Sequence, residues 1–343
     1  MRRMLNTLFV TTQGAYLARE RETVVVRVDK DTRLRVPVIG LDGIVCFGRV
    51  GCSPAVMELC GGNDVSLSFL SLNGRFRARV LGPTSGNVLL RREQYRQADD
   101  PEASADIART IVAAKVANSR VVLQRFLRDH SENPHAADVD AAVRVLQGLI
   151  EELRRTDNLA RVRGIEGDAA RTYFSVFDHL VTAQKEDFCL HGRSRRPPLD
   201  RVNALLSFLY ALATHDARSA LESTGLDPAV GFLHRDRPGR PGLALDLVEE
   251  FRAFLCDRLT LSVINRRQVA GKGFTTSESG DVRMDDATRK TVLVAYQERK
   301  QEEMRHPFLG ETTTVGLLMH LQARLLARFL RGDLDGYAPF LWK

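Results

Sequence analysis

The sequence predicts a two-domain α+β protein: a small N-terminal β-sandwich-like domain, then a larger all-α bundle with an inserted β-hairpin. Three observations carry this. Residues 1–80 hold short β-branched runs separated by Gly, Pro, Asp and Asn, the punctuation of strands and tight turns. Turn formers then cluster in LGPTSGN, residues 81–87, and beyond them apolar residues recur at the three-and-four spacing of helices. The 343 residues, 44% hydrophobic and 27% charged, suffice for one large or two medium cores and argue against disorder.

In order along the chain, strands are expected at Leu8 to Val10, Thr23 to Val28, Arg33 to Ile39, Gly43 to Phe47, Val65 to Leu70 and Arg75 to Val80. SPAVMELCGGN interrupts them as a short helix, with Ser53 as its cap and Gly61 as its stop. The first domain is placed at 1–84 and a linker with the start of the first helix at 85–98. The helical domain is 99–343. Helical spacing runs through 88–98, 103–129, 136–156, 167–186, 200–222, 243–265 and 312–331, and QVAGKGFTTSESGDVRM, 268–284, reads as the hairpin.

The net charge is +7, and only seven of the 50 basic residues are Lys, the rest being Arg. Arg grips phosphate bidentately where Lys is a point charge. The bias fits a phosphate-handling surface, or a GC-rich codon usage. Five cysteines with no CxxC pair support neither a zinc knuckle nor a disulfide framework, and read as free thiols of a reducing compartment. No apolar run approaches the roughly 20 residues of a membrane span and no signal peptide opens the chain, so a cytoplasmic protein without a membrane partner is expected.

Three separated segments offer groups for chemistry: Glu166 in GIEGDAAR, His234 in GFLHRDRPGRPG, and Asp246 with Glu249 in LALDLVEEFR. One imidazole with two or three carboxylates makes a hard site suited to Mg2+ or Mn2+ working on phosphates. Asp246 and Glu249, three apart, are neighbours on one helix face beside the stripe Leu247, Val248, Phe251, Phe254, Leu255 and Leu259. They present oxygens to a cation or form a solvated acidic face. His234, in a Gly/Pro-rich loop among Arg235, Arg237 and Arg240, is a ligand folded over the first turn of the next helix, or part of a basic phosphate clamp. Glu166 lies just ahead of a helix, where an acid favours the dipole, and its small neighbours would admit a phosphate or metal. Arg75, Arg77 and Arg79 on one strand, Arg91 and Arg92 after the linker, and Lys115, Asn118 and Arg120 on one helix could line a nucleic-acid path, or be solvated surface. Aromatic residues are 7% and not interleaved with these charges, which favours duplex backbone over stacked single strands.

The motifs TTQGAYLARERETVVV, GIVCFGRVGCSPAVMELC, AAKVANSR, GIEGDAARTYF, RPPLDRVNALLSFLYAL, GLDPAVGFLHRDRPGRPGLALDLVEEFR and LQARLLARFLRGDLDGYAPFLWK together resemble the CRISPR-associated adaptation integrase family, the first of the CRISPR-associated proteins, in its type I-C form. The resemblance implies a metal-dependent DNA integrase and endonuclease of CRISPR adaptation, with metal ligands at Glu166, His234 and Glu249, Asp246 as the accompanying catalytic acid, and Mg2+ or Mn2+ as cofactor. Glu249 stands where many relatives carry Asp, and Ser119 where they often have Gln. The expected partners are double-stranded DNA, as captured fragments and as the repeat, a second copy of the chain, and a small second adaptation protein completing a heterohexameric integration complex. DNA contacts are expected from Arg75, Arg77, Lys115, Asn118, Arg163, Arg235, Arg237 and Arg252, and the dimer from the first domain, including Met57 and Leu59. The implied reaction is attack of a fragment's 3′ hydroxyl on a repeat phosphodiester at the leader end of the array. The competing readings are a DNA-binding scaffold without turnover and a general metal-dependent nuclease on branched DNA.

Overall fold

The computed structural model describes residues 7–29, 31–41, 43–63, 65–72, 76–80, 82, 88–195 and 197–342. Two compact units divide the chain, Met1–Gly86 and Asn87–Lys343.

The first unit contains two four-stranded sheets. One has β1 (Thr7–Val10), β5 (Gly43–Phe47), β7 (Ser66–Leu70) and β8 (Phe76–Val80) in that spatial order, and the other runs β4 (Asp31–Pro37), β3 (Thr23–Val28), β2 (Tyr16–Glu20), β6 (Gly51–Cys52). Pairing of β1 with β5, β5 with β7 and β2 with β6 is parallel, and the other pairs are antiparallel. Helix α1 (Pro54–Gly62) starts where expected: the Ser53 side chain accepts from Val56 N and Pro54 takes the first helical position. Leu17, Val24, Ile44, Leu67, Val56 and Leu59 meet in one core. Leu59, 3% exposed, is therefore spent inside the unit and has no face for a dimer, while Met57 is exposed. Strands β2 and β6 were absent from the sequence expectation, because YLARE has few strand formers and its place is set by pairing with TVVVRV.

The second unit is helical: α2 (Val88–Asp99), α3 (Pro101–Asp129), α4 (Ala136–Leu153), α5 (Leu159–Val176), α6 (Arg201–Ser223), α7 (Gly242–Glu249), α8 (Arg258–Asn265), α9 (Asp286–Gln301) and α10 (Leu318–Leu330). Asp100 caps α3 by accepting from Glu102 N and Ala103 N. At 29 residues α3 is about 44 Å long. It packs against α4, α5 and α7 through Ile107, Ile111, Ala114, Val122 and Phe126, and that buried face also carries Lys115 and Asn118. The expected hairpin is β9 (Phe274–Thr276) with β10 (Val282–Met284), and a second, β11 (Glu303–Arg305) with β12 (Thr312–Thr314), occupies part of the stretch read as the last helix. No described helix is long and apolar enough to cross a membrane. The five cysteines are free.

Two departures bear on function. The stretch read as one helix over 243–265 is α7, a π-helical turn at Arg252–Asp257, and α8. The segment Tyr337–Trp342 runs along the interior, where Glu250, fully buried, accepts from Phe340 N (2.7 Å), Tyr337 Oη–H (2.6 Å) and Gln322 Nε2 (3.0 Å). Burial raises the Glu250 carboxyl to about 7, although these three donors pull it down. With the folded pKa above the unfolded one, the native state binds more protons between about pH 4.5 and 7, so this group's stability contribution is full below that window and falls as pH rises through it. Glu250→Gln should gain on the wild type by up to ~3 kcal/mol between about pH 5 and pH 8. Urea melts of both proteins at the two pH values check this; a pH-independent difference would show that Glu250 does not titrate there.

Candidate active site

Helix α7 supplies two carboxylates, Asp246 at 0% and Glu249 at 2% exposure, so neither belongs to a solvated face. Asp246 is enclosed by the loop before its own helix. Its Oδ2 accepts from Phe232 N (2.6 Å) and Leu233 N (3.0 Å), and its Oδ1 from His234 N (3.0 Å) and His234 Nδ1 (2.6 Å). Gly231 makes this possible, because a Cβ there would sit 2.6 Å from both Asp246 Oδ2 and the Gly242 carbonyl carbon. With four donors on its two oxygens Asp246 has no capacity left for a cation. Its effect is on His234: it binds the ring at Nδ1 and so turns the other nitrogen, Nε2, into the site, where Nε2 lies 3.9 Å from Glu249 Oε1.

Glu249 sits among cations. Oε1 is 2.9 Å from Arg252 Nη2, and Oε2 is 2.9 Å from Lys115 Nζ. Burial pushes the Glu249 carboxyl up, but Arg252, Lys115 and His234 together outweigh it and hold it well below the usual carboxylate range. Oε2 is nevertheless buried without a hydrogen bond of good angle. Lys115 Nζ also contacts Glu166 Oε1, so the ammonium bridges two carboxylates from α5 and α7. Glu166 lies inside α5, two turns from the Asn158 cap, not ahead of a helix as its glycine neighbours suggested.

The remaining expected residues are distributed unevenly. Arg163 donates from Nε to Leu233 O at 2.6 Å, and burial, then Arg235 and Arg240, depress its pKa while Asp246 supports it. A set of mutually repelling guanidinium groups thus adjoins the His234 loop. Arg235 and Arg237 are exposed in that loop, and Arg77 is exposed on β8; Arg75 lies outside the described residues. Asn118 is a correction. It is 1% exposed, its amide nitrogen donates to Glu250 O and Phe340 O, and its oxygen accepts from Trp342 N, which leaves it nothing to offer DNA.

The sequence reading missed a second layer. Tyr210 Oη–H donates to Asp257 Oδ1 at 2.6 Å, and the Arg252 guanidinium lies 4.8 Å from the Tyr210 ring centre. Burial raises Asp257 to about 6 against the pull of Tyr210, Arg193 and Arg252. Lys115, Ser119, Tyr173, Tyr210, Arg252 and Asp257 line one cleft. Tyr210 belongs to α6 and Asp257 to the π turn, and only the tertiary fold brings them together. Among the described residues, the one group of three metal-competent side chains with all ligand atoms within 4.8 Å is elsewhere: His135, Asp138 and His179. The His135 and His179 rings are stacked at 3.9 Å and 9°, so their lone pairs lie in separate, nearly parallel planes and do not meet at one point.

The family model of CRISPR associated protein Cas1 matches residues 8–298. The chain is 55% identical, over 343 residues covering 100% of both, to CRISPR-associated endonuclease Cas1 1 of Chlorobaculum tepidum. Its fold is that of a casposase bound to integration product, with a TM-score of 0.82 at 24% identity, covering 96% of this chain and 92% of that one. It is also that of a chain in a Cas6-RT-Cas1–Cas2 complex, with a TM-score of 0.81 at 20% identity, covering 98% of this chain and 36% of that one.

Proposed function

As the chain belongs to the Cas1 family of CRISPR-associated proteins, we propose that it is an adaptation integrase and endonuclease that joins the 3′ hydroxyl of a captured DNA fragment to a phosphodiester of the CRISPR repeat, with Glu166, His234 and Glu249 as ligands of a divalent cation. The observation that carries the reading is the 2.6 Å contact of His234 Nδ1 with Asp246 Oδ1, which turns His234 Nε2 toward Glu249. The donor set fits the cation: two carboxylates and one imidazole, with Glu249 Oε2 buried and lacking a well-formed hydrogen bond. Gly164 and Gly167 flank Glu166 within α5, and a Cβ at either would meet nothing within 4 Å. Mid-helix glycines cost stability and here serve no packing inside the chain, which fits a DNA backbone approaching α5.

Bound there, Mg2+ or Mn2+ would neutralise the phosphate and stabilise the departing oxygen. The chain's own groups do the rest. Asp246 holds the imidazole orientation. Arg252, fixed between Glu249 and the Tyr210 ring, offers its guanidinium edge to the phosphate undergoing displacement. Arg163, Arg235 and Arg237 attract and align the duplex backbone. In the displacement the fragment's 3′ hydroxyl gives up its proton to solvent as its oxygen forms the new O–P bond, and the repeat's own 3′ oxygen leaves and takes up a proton, so one phosphodiester replaces another and no nucleotide cofactor is consumed; water in place of the hydroxyl gives cleavage. Double-stranded DNA, a second copy of the chain and a small Cas2-type protein are the proposed partners.

A joining assay tests this: protein with its small partner, a short duplex with free 3′ hydroxyls, and a repeat-bearing plasmid, in Mn2+ or in EDTA. Metal-dependent covalent joining is the expected result. Fragmentation without joining would identify a nuclease, and retention of DNA without reaction a scaffold.

A further inference from the structure

Lys115 is an unusual choice where it stands. The chain has only seven Lys among its 50 basic residues, yet a Lys, 8% exposed, faces the two carboxylates Glu166 and Glu249. Arg would grip a carboxylate with a rigid two-pronged fork, whereas an ammonium on a flexible stem makes a point contact and can leave. The other cation on Glu249 is not free to leave: Arg252 is 2.9 Å from Oε1 and rests 4.8 Å from the Tyr210 ring centre. Lys115 touches the opposite oxygen, Oε2, which is the one without a well-formed hydrogen bond.

The two carboxylates are already matched by the cations that touch them. Glu166 and Glu249 carry two negative charges, and Lys115 with Arg252 two positive ones. A divalent ion added to the same carboxylates would face an ammonium at contact distance in a partly desolvated site, where repulsion is strong. We propose that Lys115 is a displaceable counter-cation: its ammonium and the divalent ion hold Glu166 and Glu249 in turn, and metal loading ejects the ammonium toward the mouth of the site, where a DNA phosphate receives it. The inference rests on the assignment of Glu166, His234 and Glu249 as the cation site. Lys115 thus stabilises the metal-free protein and at the same time weakens metal binding. A residue that only supports the fold would do the first without the second.

Mn2+ titration of EDTA-treated full-length protein without DNA, followed by electron paramagnetic resonance and paired with thermal melts, separates the possibilities. Lys115→Met keeps an unbranched apolar stem. It should bind Mn2+ at least about tenfold more tightly than wild type and melt at lower temperature without metal, and saturating Mn2+ should close the gap. Equal or weaker Mn2+ binding by Lys115→Met would overturn the displacement. If that variant does not fold, Lys115→Arg serves instead: a fork that holds the carboxylates should weaken Mn2+ binding about tenfold, and unchanged affinity would overturn the idea. Wild-type binding that is absent, or that is unaffected by His234→Ala, would instead refute the cation site itself.

Discussion

Replacing His234 by alanine is expected to lower metal-dependent joining and cleavage by on the order of 10³-fold or more, while leaving the fold intact. The side chain is 18% exposed and touches the site through two atoms: Nδ1 on Asp246 and Nε2 toward Glu249. Its removal takes away one of three proposed ligands and the single neutral one. It leaves the Asp246 contacts with the backbone of Phe232, Leu233 and His234 in place. The comparison is made at saturating DNA, with Mn2+ supplied, alongside a urea melt to show that the variant is folded despite the lost contact with Asp246. Joining at the wild-type rate by a folded His234→Ala protein would exclude the imidazole from the chemistry.

Asp246→Ala should act on stability first. Three buried backbone N–H groups lose their acceptor, at about 1–3 kcal/mol each, so the total is ~3–9 kcal/mol, comparable with the 5–15 kcal/mol that holds an ordinary domain together. The loop from Gly231 to Pro241 would lose its anchor on α7, and His234 its orientation. Asp246→Asn keeps the shape but offers one acceptor oxygen in place of two, so a smaller stability loss is expected, with a drop in Mn2+ affinity of about 10–100-fold. Denaturation midpoints and Mn2+ titrations of the two variants check both parts. An Asp246→Ala protein as stable as wild type would mean that the three amides find other partners.

These two residues also mark the limit of what sequence could tell. That Asp246 and Glu249 share a helix face follows from their spacing, and that His234 lies in a loop able to reach that face follows from the glycines and prolines around it. Their different duties do not. Asp246 is consumed by amides 12 to 14 residues upstream, a tertiary closure that no periodicity encodes. Asn118, three residues from Lys115 on the same face of α3, looked like its companion on a DNA path, yet it faces Glu250 and the backbone of Phe340 and Trp342. Strands with β-branched runs and the helices α2, α3, α4 and α6 were legible to within a few residues, whereas the helix expected at 167–186 is Leu159–Val176 and the one expected from 312 begins at Leu318. Helix α9 was not found, although Asp285 at its cap and Arg299 with Lys300 in its last turn are ordinary signals. The π turn after Glu249 had no signal, since RAFLCD contains neither Gly nor Pro.

The backbone around Phe340 and Trp342 has a consequence in the order of synthesis. Glu250 finds its Phe340 partner 90 residues later, and Asn118 finds Trp342 after 224. A nascent chain that stops before Tyr337 already contains Glu166, His234 and Glu249, but Glu250 still lacks its Tyr337 and Phe340 donors and Asn118 lacks Phe340 O and Trp342 N. The three proposed ligands therefore precede the residues that pin the layer behind them, and that layer can close only after Trp342 has been made.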